Sequence, residues 1–220
     1  MAIPYRVRLK ICCIASPDEA RLAIRHGADA LGLVGQMPSG PGVVGDTIAA
    51  QVVQATPPPI ATFMLTSETT TEGILAHQRR VGANTIQLVD AVAPDTYAQL
   101  HRELPAVKLV QVIHVLDEAN IIEALQAVTN GADALLLDSG NPTLAVKELG
   151  GTGRVHNWDI SRQIVAQSPV PVFLAGGLNP ENARQAVDRV QPFGLDICSG
   201  VRTNGYLDER KLAAFVSAIR

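Results

Sequence analysis

One short pattern recurs along this 220-residue chain and restricts its architecture more than any other feature. Gly-Ala-Asp-Ala-Leu-Gly-Leu-Val begins at Gly27, close copies begin at Gly82 and Gly131, and a looser Gly-Leu-Asp-Ile begins at Gly194. Each glycine is suited to end a helix, and each apolar run is typical of a buried parallel strand. The copies lie roughly fifty to sixty residues apart, about two strand-helix units each, so they mark every second strand of a regular array.

The segments between the copies complete an alternation of strands and helices. The predicted strands are 7–12, 28–34, 60–65, 85–89, 107–112, 132–137, 170–174 and 195–198. The predicted helices are 16–26, 46–55, 67–81, 94–103, 118–128, 157–166, 179–190 and 207–219.

Eight such units in a chain of this length predict a single-domain α/β protein, a (β/α)8 TIM barrel over residues 1–220. Its functional site is expected at the C-terminal ends of the strands. A doubly wound open sheet is the alternative, and it would require a Gly-x-Gly-x-x-Gly motif after the first strand. The segment Cys12-Cys13-Ile14-Ala15-Ser16 does not contain one.

Composition excludes several classes of partner. The net charge is -3 and the Lys and Arg residues are scattered, which argues against nucleic acid and against an anionic membrane. No apolar run reaches membrane-spanning length, and the first six residues lack the apolar stretch of a signal peptide, so a cytoplasmic protein is expected. The three cysteines, Cys12, Cys13 and Cys198, are spaced for neither a disulfide framework nor a zinc site.

Two glycine turns near the C-terminus are the first candidate binding feature. The apolar strand 170–174 ends at Gly176 and Gly177, and the next strand ends at Ser199 and Gly200. Backbone N–H groups at such turns can face an anion together, which predicts a phosphate-binding site. The alternative is that both turns require glycine for steric reasons alone.

Candidate catalytic groups stand at other strand ends. Cys12 follows the first strand and Asp138 follows the sixth, so a barrel would bring them to the same opening as the glycine turns. A thiol and a carboxyl group beside a phosphate site suit proton transfer on a sugar phosphate without a cofactor or a metal. Each also has a structural alternative, since an isolated cysteine is often a buried apolar residue and a carboxylate at this point can cap a turn.

With these residues in view, the chain resembles the phosphoribosylanthranilate isomerase family, (β/α)8 enzymes of tryptophan biosynthesis that carry out an Amadori rearrangement. The resemblance covers nearly the whole length. It implies that Cys12 is the general base, that Asp138 is the general acid and that the two glycine turns hold the phosphate. The matching motifs are Lys10-Ile11-Cys12, Leu137-Asp138, Gly150-Gly151-Thr152-Gly153, Trp158, Ala175 to Asn182 and Ser199-Gly200-Val201.

The chain departs from this family at the aromatic-acid end of the substrate. The family has glycine where this chain has Cys13, and its Ser-Pro-Arg after the second strand is replaced by Ser39-Gly40-Pro41-Gly42. The missing arginine is the one that recognises the anthranilate carboxylate in the family. Either another cation replaces it, such as Arg154, Lys147 or Arg202, or the substrate differs.

Among these cations Arg154 is the prediction, because a guanidinium can bind a carboxylate with two hydrogen bonds. The predicted activity is therefore isomerisation of N-(5-phosphoribosyl)anthranilate by a monomer or homodimer. Two alternatives stay open at this point. The chain could act on a different phosphosugar amine, or it could bind a phosphosugar without turnover.

Overall fold

The computed structural model describes residues 6–151 and 153–220. Eight parallel strands close into a barrel in which each strand pairs with its neighbour in sequence and β1 pairs with β8. The predicted (β/α)8 barrel is therefore confirmed, whereas the domain bounds 1–220 stay a prediction because Met1–Tyr5 lie outside the described residues. The strands are β1 Arg8–Ile11, β2 Ala30–Val34, β3 Ala61–Thr66, β4 Thr85–Leu88, β5 Lys108–His114, β6 Ala134–Asp138, β7 Val172–Leu174 and β8 Gly194–Ile197.

Eight α-helices follow the strands in the described residues, close to the predicted positions. They are α1 Pro17–Arg25, α2 Asp46–Ala55, α3 Thr71–Val81, α4 Pro94–Glu103, α5 Ala119–Asn130, α6 Trp158–Gln167, α7 Ala183–Val190 and α8 Glu209–Ile219. None of the helices in this part of the chain is both long and apolar enough to cross a membrane.

The repeated sequence pattern has one structural role in its three close copies. The third residue of each copy, Asp29, Asn84 or Asp133, accepts a hydrogen bond of 2.9 Å from a backbone N–H group of the preceding strand. These N–H groups belong to Leu9, Thr62 and Leu109. The short polar side chain thus ties the start of one strand to its neighbour at the end of the barrel opposite the predicted site.

Two helices, α3 and α7, begin four residues later than predicted, because the residues predicted as their first turn are not helical. Thr70 accepts a hydrogen bond from the N–H group of Gly73, so α3 begins at Thr71 and not at residue 67. The side-chain oxygen of Asn179 accepts hydrogen bonds from the N–H groups of Glu181 and Asn182 in a separate turn, and α7 starts only after it. The sequence identified the capping residue types but not the turn that each one serves.

The segment after β8 contains two small elements that the sequence did not predict. Ser199–Val201 forms a single 3-10 turn, and the short strands β9 Arg202–Thr203 and β10 Tyr206–Leu207 pair as an antiparallel hairpin before α8. Apolar residues otherwise fill two layers, one between the strands and helices and a smaller one inside the barrel. The inner layer ends at the C-terminal opening with Cys12, Cys13, Leu65 and Ala175.

Candidate active site

One pocket lies at the C-terminal ends of the strands, where the sequence placed the site. Cys12, Asp138, Gly176, Gly177 and Ser199 all line it. The barrel therefore gathers into one cavity five residues that are spread over most of the chain. Two further predicted residues, Gly200 and Arg154, are not among the residues that line the pocket.

Cys12 follows β1 and points into the barrel together with Lys10. Residues two apart in a strand share a face, and both side chains pass over Gly32, where an added Cβ would lie 2.8 Å from Cys12 Sγ and 3.1 Å from Lys10 Nζ. Cys12 is only 6% exposed. Burial raises the pKa of its thiol to about 11, although the Lys10 ammonium opposes that shift.

Lys10 is completely buried and is paired with Asp196 on the neighbouring strand. Its Nζ lies 2.9 Å from Oδ1 of Asp196, because β1 and β8 pair with Lys10 opposite Asp196. Burial disfavours the charge on Lys10, but attraction to Asp196 and to Cys12 outweighs burial and raises its pKa. The lysine is therefore an ammonium ion at neutral pH, held directly below the thiol.

Asp138 ends β6 and is half-buried at the rim of the same pocket. Its Oδ1 accepts a 2.7 Å hydrogen bond from the N–H group of Ser139. An added Cβ at Gly150 would lie 2.6 Å from its Oδ2, so this glycine lets the loop after β6 cross close to the carboxylate. Asp138 also exerts an electrostatic effect on Cys12 and Asp196 across the pocket.

The glycines of the predicted phosphate turns are required sterically. Gly176 and Gly177 have φ values of 81° and 63°, in the left-handed region. An added Cβ at Gly177 would lie 2.7 Å from the backbone of Arg154, and one at Gly200 would lie 2.1 Å from the carbonyl oxygen of Leu178. The two turns therefore pack against each other, and a side chain at position 177 would meet the loop after β6 and not an anion.

The same turns carry backbone N–H groups without protein acceptors. Within 6–151 and 153–220, the N–H groups of Gly177, Leu178, Ser199 and Gly200 donate no hydrogen bond to another residue. Donors without partners beside a pocket are what an anion site requires. The steric explanation and the phosphate-binding explanation are thus compatible at these turns.

The structure corrects the prediction that the cysteines form no disulfide. Cys13 and Cys198 are bonded to each other, with their Cα atoms 5.9 Å apart and a sequence separation of 185. The closure of the barrel explains the pairing, since Ile11 is opposite Ile197 in the β1–β8 ladder and the two cysteines follow that pair. Cys12 keeps a free thiol.

Each of the three proposed carboxylate-binding cations has an acidic partner in the protein. Arg202 is buried, with 8% of its side chain exposed, and pairs with Glu19 at 2.9 Å. Lys147 pairs with Asp90 at 2.5 Å, and Arg154 pairs with Glu148 while 60% of its side chain is exposed. No Lys or Arg lines the pocket among the residues that the structure describes.

His156 lies beside the pocket and not in it. Its Nε2 is 2.7 Å from Oγ of Ser161, and its Nδ1 faces Gly176. Burial lowers its pKa to about 4, although Asp138 opposes that shift, so the imidazole is neutral at physiological pH. This placement agrees with the packing role that is usual for a lone histidine in a loop.

Two residues of the pocket region, Lys10 and Asp196, were not among the site residues predicted from the sequence. From the sequence, Asp196 is only part of a buried strand, and Lys10 is only part of a motif and a lysine that a Schiff-base mechanism would need. The alternation of β1 places Lys10 on the same face as Cys12, which is a signal that the sequence does contain. Nothing in the sequence shows that Asp196 is opposite Lys10, because that contact depends on the register between the first strand and the last.

Comparison with known proteins identifies the family of this chain. The family model described as N-(5'phosphoribosyl)anthranilate (PRA) isomerase matches residues 9–218. N-(5'-phosphoribosyl)anthranilate isomerase 2 of Methanosarcina mazei is 35% identical over 212 residues, which cover 96% of this chain and 92% of that protein. The isomerase of Methanocella arvoryzae is 31% identical, with 97% of this chain and 98% of that protein covered.

A solved structure of the same family has the same fold. The phosphoribosyl anthranilate isomerase of Thermotoga maritima superimposes with a TM-score of 0.82 at 27% identity, covering 97% of this chain and 98% of that one. A second solved isomerase, in complex with reduced 1-(O-carboxyphenylamino)-1-deoxyribulose 5-phosphate, gives a TM-score of 0.79 at 25% identity, with coverage of 97% and 98%. Taken with the pocket at the strand ends, these matches show that the chain belongs to the N-(5'-phosphoribosyl)anthranilate isomerase family of tryptophan biosynthesis.

Proposed function

We propose that this chain converts N-(5'-phosphoribosyl)anthranilate to 1-(2-carboxyphenylamino)-1-deoxyribulose 5-phosphate, with Cys12 as general base and Asp138 as general acid. The observation that carries the assignment is that the thiol and the carboxylate line one pocket together with the glycine turns at Gly177 and Ser199. The reaction needs one acid and one base around a single sugar phosphate.

Asp138 and Cys12 each carry out one proton transfer of the reaction. Asp138, in its carboxylic acid form, gives a proton to the ribose ring oxygen, and the bond from that oxygen to C1 breaks to leave an iminium ion. The thiolate of Cys12 then removes the proton on C2, and the electron pair of that C–H bond neutralises the iminium nitrogen. The resulting enolamine tautomerises to the ketose.

The phosphate is assigned to the two turns that end β7 and β8. The N–H groups of Gly177, Leu178, Ser199 and Gly200 have no acceptor among the described residues, and the first three of these residues line the pocket. A phosphate there would accept hydrogen bonds without displacing any protein contact. Gly200 belongs to the site because it allows the turn after β8 to approach Leu178, and Gly176 because it allows the turn after β7 to approach Ser139 and His156.

Arg154 remains the proposed partner of the anthranilate carboxylate, and the reason is the exposure of its ion pair. Arg202 is buried against Glu19 and is committed to that contact. Arg154 is exposed, and surface pairs such as that with Glu148 stabilise proteins by only about 0–1 kcal/mol. A substrate carboxylate can therefore replace Glu148 at small cost, whereas it cannot recruit Arg202 without leaving Glu19 buried and unpaired.

We also propose the partners of the protein and its location in the cell. A small phosphosugar is the ligand, nucleic acid and membranes are not partners, and the protein is cytoplasmic and acts as a monomer or homodimer. The net charge of -3 supports the exclusion of nucleic acid.

Steady-state kinetics with N-(5'-phosphoribosyl)anthranilate tests the activity and the base together. Wild-type protein should form the ketose product, and Cys12→Ser should lower kcat by about 100-fold or more, because a serine hydroxyl cannot supply an equivalent base near neutral pH. Circular dichroism checks that the variant folds. Wild-type protein without turnover would overturn the activity, and full activity of folded Cys12→Ser would overturn the assignment of the base.

The same assay tests Arg154. Arg154→Ala should raise KM by about tenfold while kcat changes little, because the lost contact binds substrate and transition state alike. Arg184→Ala is the matched control, since Arg184 is also exposed and also paired with an acidic residue, Asp188 on α7. An equal KM in both variants would show that another group recognises the carboxylate.

A further inference from the structure

The most unusual charged group in the barrel is the ammonium of Lys10. Its side chain is fully buried, and neither its Nζ nor the Oδ1 of Asp196 forms a well-aligned hydrogen bond with a described residue, although the two atoms are 2.9 Å apart. Removing such a pair from water is expensive, and well-packed apolar side chains in its place are often equally or more stabilising. Stability alone therefore does not account for this pair.

The position of the pair relative to the pocket suggests what it does. Asp196 lines the pocket next to Cys12, and Lys10 lies beneath both of them on the same face of β1 as the thiol. The side chains of Cys12 and Lys10 both reach over Gly32, so the ammonium is close enough to the sulfur to favour the thiolate electrostatically. Lys10 is a cation that favours the thiolate of Cys12, whereas Arg202 contacts the backbone carbonyl oxygen of that residue.

The thiol is otherwise in surroundings that oppose its ionisation. Burial is the largest effect, and the negative charges of Asp196 and Asp138 add to it, whereas Lys10 and the backbone N–H group of Cys13 favour the thiolate. A thiol that must ionise in these surroundings needs a nearby positive charge that is fixed in place. Lys10 meets that requirement because Asp196 holds it.

We propose that Lys10 and Asp196 are positioning residues for Cys12: the Lys10 ammonium stabilises the thiolate that removes the substrate proton, and Asp196 fixes the ammonium beneath the sulfur. This inference rests on the proposed role of Cys12 as the base. It concerns the proton affinity of the thiol and assigns neither residue a direct contact with substrate.

Alkylation of the thiol by iodoacetamide measures this proton affinity without any substrate. The chain has three cysteines, and Cys13 and Cys198 are joined in a disulfide, so Cys12 alone can react in a non-reducing buffer. The rate of alkylation rises with pH as the thiolate forms, and the midpoint reports its ionisation. Cys12→Ser should take up no label, which confirms the reacting residue.

The expected result is a shift of the alkylation profile to higher pH when the ammonium is removed. Lys10→Met should slow alkylation by about tenfold or more at a pH on the rising limb, which corresponds to one pKa unit. It should also move the rising limb of kcat/KM in the same direction, and kcat should fall more than KM rises. The double variant K10M/D196N leaves no unpaired buried charge, and it should keep a shift of the same sign because Lys10 affects the thiol more strongly than Asp196 does.

Lys108→Met is the matched control. Lys108 also pairs with an aspartate, Asp133, at 3.0 Å, but it lies at the other end of the barrel. Its removal should leave the alkylation profile of Cys12 unchanged. An unshifted profile in folded K10M or in folded K10M/D196N would overturn the proposal.

The failure of this inference and the failure of the proposed function are distinguishable. If Cys12→Ser retains activity, Cys12 is not the base, whatever the alkylation profiles show. If Cys12→Ser is inactive while K10M and K10M/D196N alkylate like the wild type, Cys12 is the base and the Lys10–Asp196 pair does not control its ionisation.

Discussion

Gly177 shows how much a single residue of this site depends on its surroundings. Its φ of 63° is unfavourable for any residue with a side chain, and an added Cβ would lie 2.8 Å from the carbonyl oxygen of Arg154. The residue therefore serves two purposes at once. It shapes the turn whose N–H groups are proposed to bind the phosphate, and it lets the loop after β6 lie against that turn.

Gly177→Ala should lower both stability and phosphate affinity, and Gly82→Ala is the matched control. Gly82 has a similar φ of 74°, but an added Cβ there would meet nothing within 4 Å. Both variants therefore carry the strain of a left-handed alanine, about 1–2 kcal/mol, and only Gly177→Ala also displaces the backbone of Arg154. Urea denaturation and titration with inorganic phosphate measure the two effects, and equal losses in both variants would contradict the packing argument.

At the scale of elements, the Cys13–Cys198 disulfide is a covalent link between the first and the last strand-helix units of the barrel. It joins the segment after β1 to the segment after β8, so the loop that bears Cys12 is covalently tied to the turn that contains Ser199. Cys13 itself has a left-handed φ of 62°, in the position where the family has glycine. The disulfide thus links the loop that bears the proposed base to one of the two proposed phosphate turns.

Reduction of this disulfide should destabilise the protein. The bond spans 185 residues, and closing a long loop typically stabilises a protein by about 2–4 kcal/mol through the unfolded state. Urea denaturation of the wild type with and without dithiothreitol measures the loss. The double variant C13A/C198A should unfold like the reduced wild type and should not respond to dithiothreitol; a wild type that does not respond either would show that the bond contributes nothing.

At the scale of the whole molecule, the buried pair of Glu19 and Arg202 connects the beginning of the barrel to its end. Glu19 stands in the first turn of α1, and its carboxylate also accepts hydrogen bonds from the N–H groups of Ala15 and Leu207. Arg202 belongs to the hairpin after β8 and also contacts the carbonyl oxygen of Cys13. The pair therefore connects the first and last βα units of the barrel, next to the backbone of Cys13 at the candidate site.

Acidification should weaken the Glu19–Arg202 ion pair and so lower the stability of the protein. Burial alone would raise the pKa of Glu19, but the hydrogen bonds from Arg202 and from the N–H groups of Leu207 and Ala15 outweigh it and lower the pKa. A lowered pKa means that the contribution to stability is complete above the ordinary glutamate range and is lost as the pH falls through the lowered value.

Glu19→Gln should therefore destabilise the protein near neutral pH by about 3 kcal/mol, since it leaves Arg202 buried without a counter-charge. It should also make the loss of stability on acidification less steep than in the wild type. Glu209→Gln removes an exposed carboxylate, 63% accessible, and serves as control. Free energies of unfolding measured across the acidic range test both statements, and parallel curves for wild type and Glu19→Gln would contradict the role of this group.

Local patterns along the chain are enough to predict the elements, their order and the barrel. Helix periodicity, capping residues and the repeated glycine motif are local signals, and they act between residues that are close along the chain. The same local signals located Cys12, Asp138 and the two glycine turns, because a barrel brings every strand end to one opening whatever the details of its packing. The family resemblance then gave these residues roles that their local patterns could not.

Contacts between groups that are distant along the chain depend on how the barrel closes. The Cys13–Cys198 bond, the Lys10–Asp196 pair and the Glu19–Arg202 pair each join the start of the chain to its end. All three follow from the pairing of β1 with β8, whose register no local pattern records. A shift of one residue in that register would turn each side chain to the opposite face of its strand, and this is the physical reason that such contacts could not be predicted from the sequence.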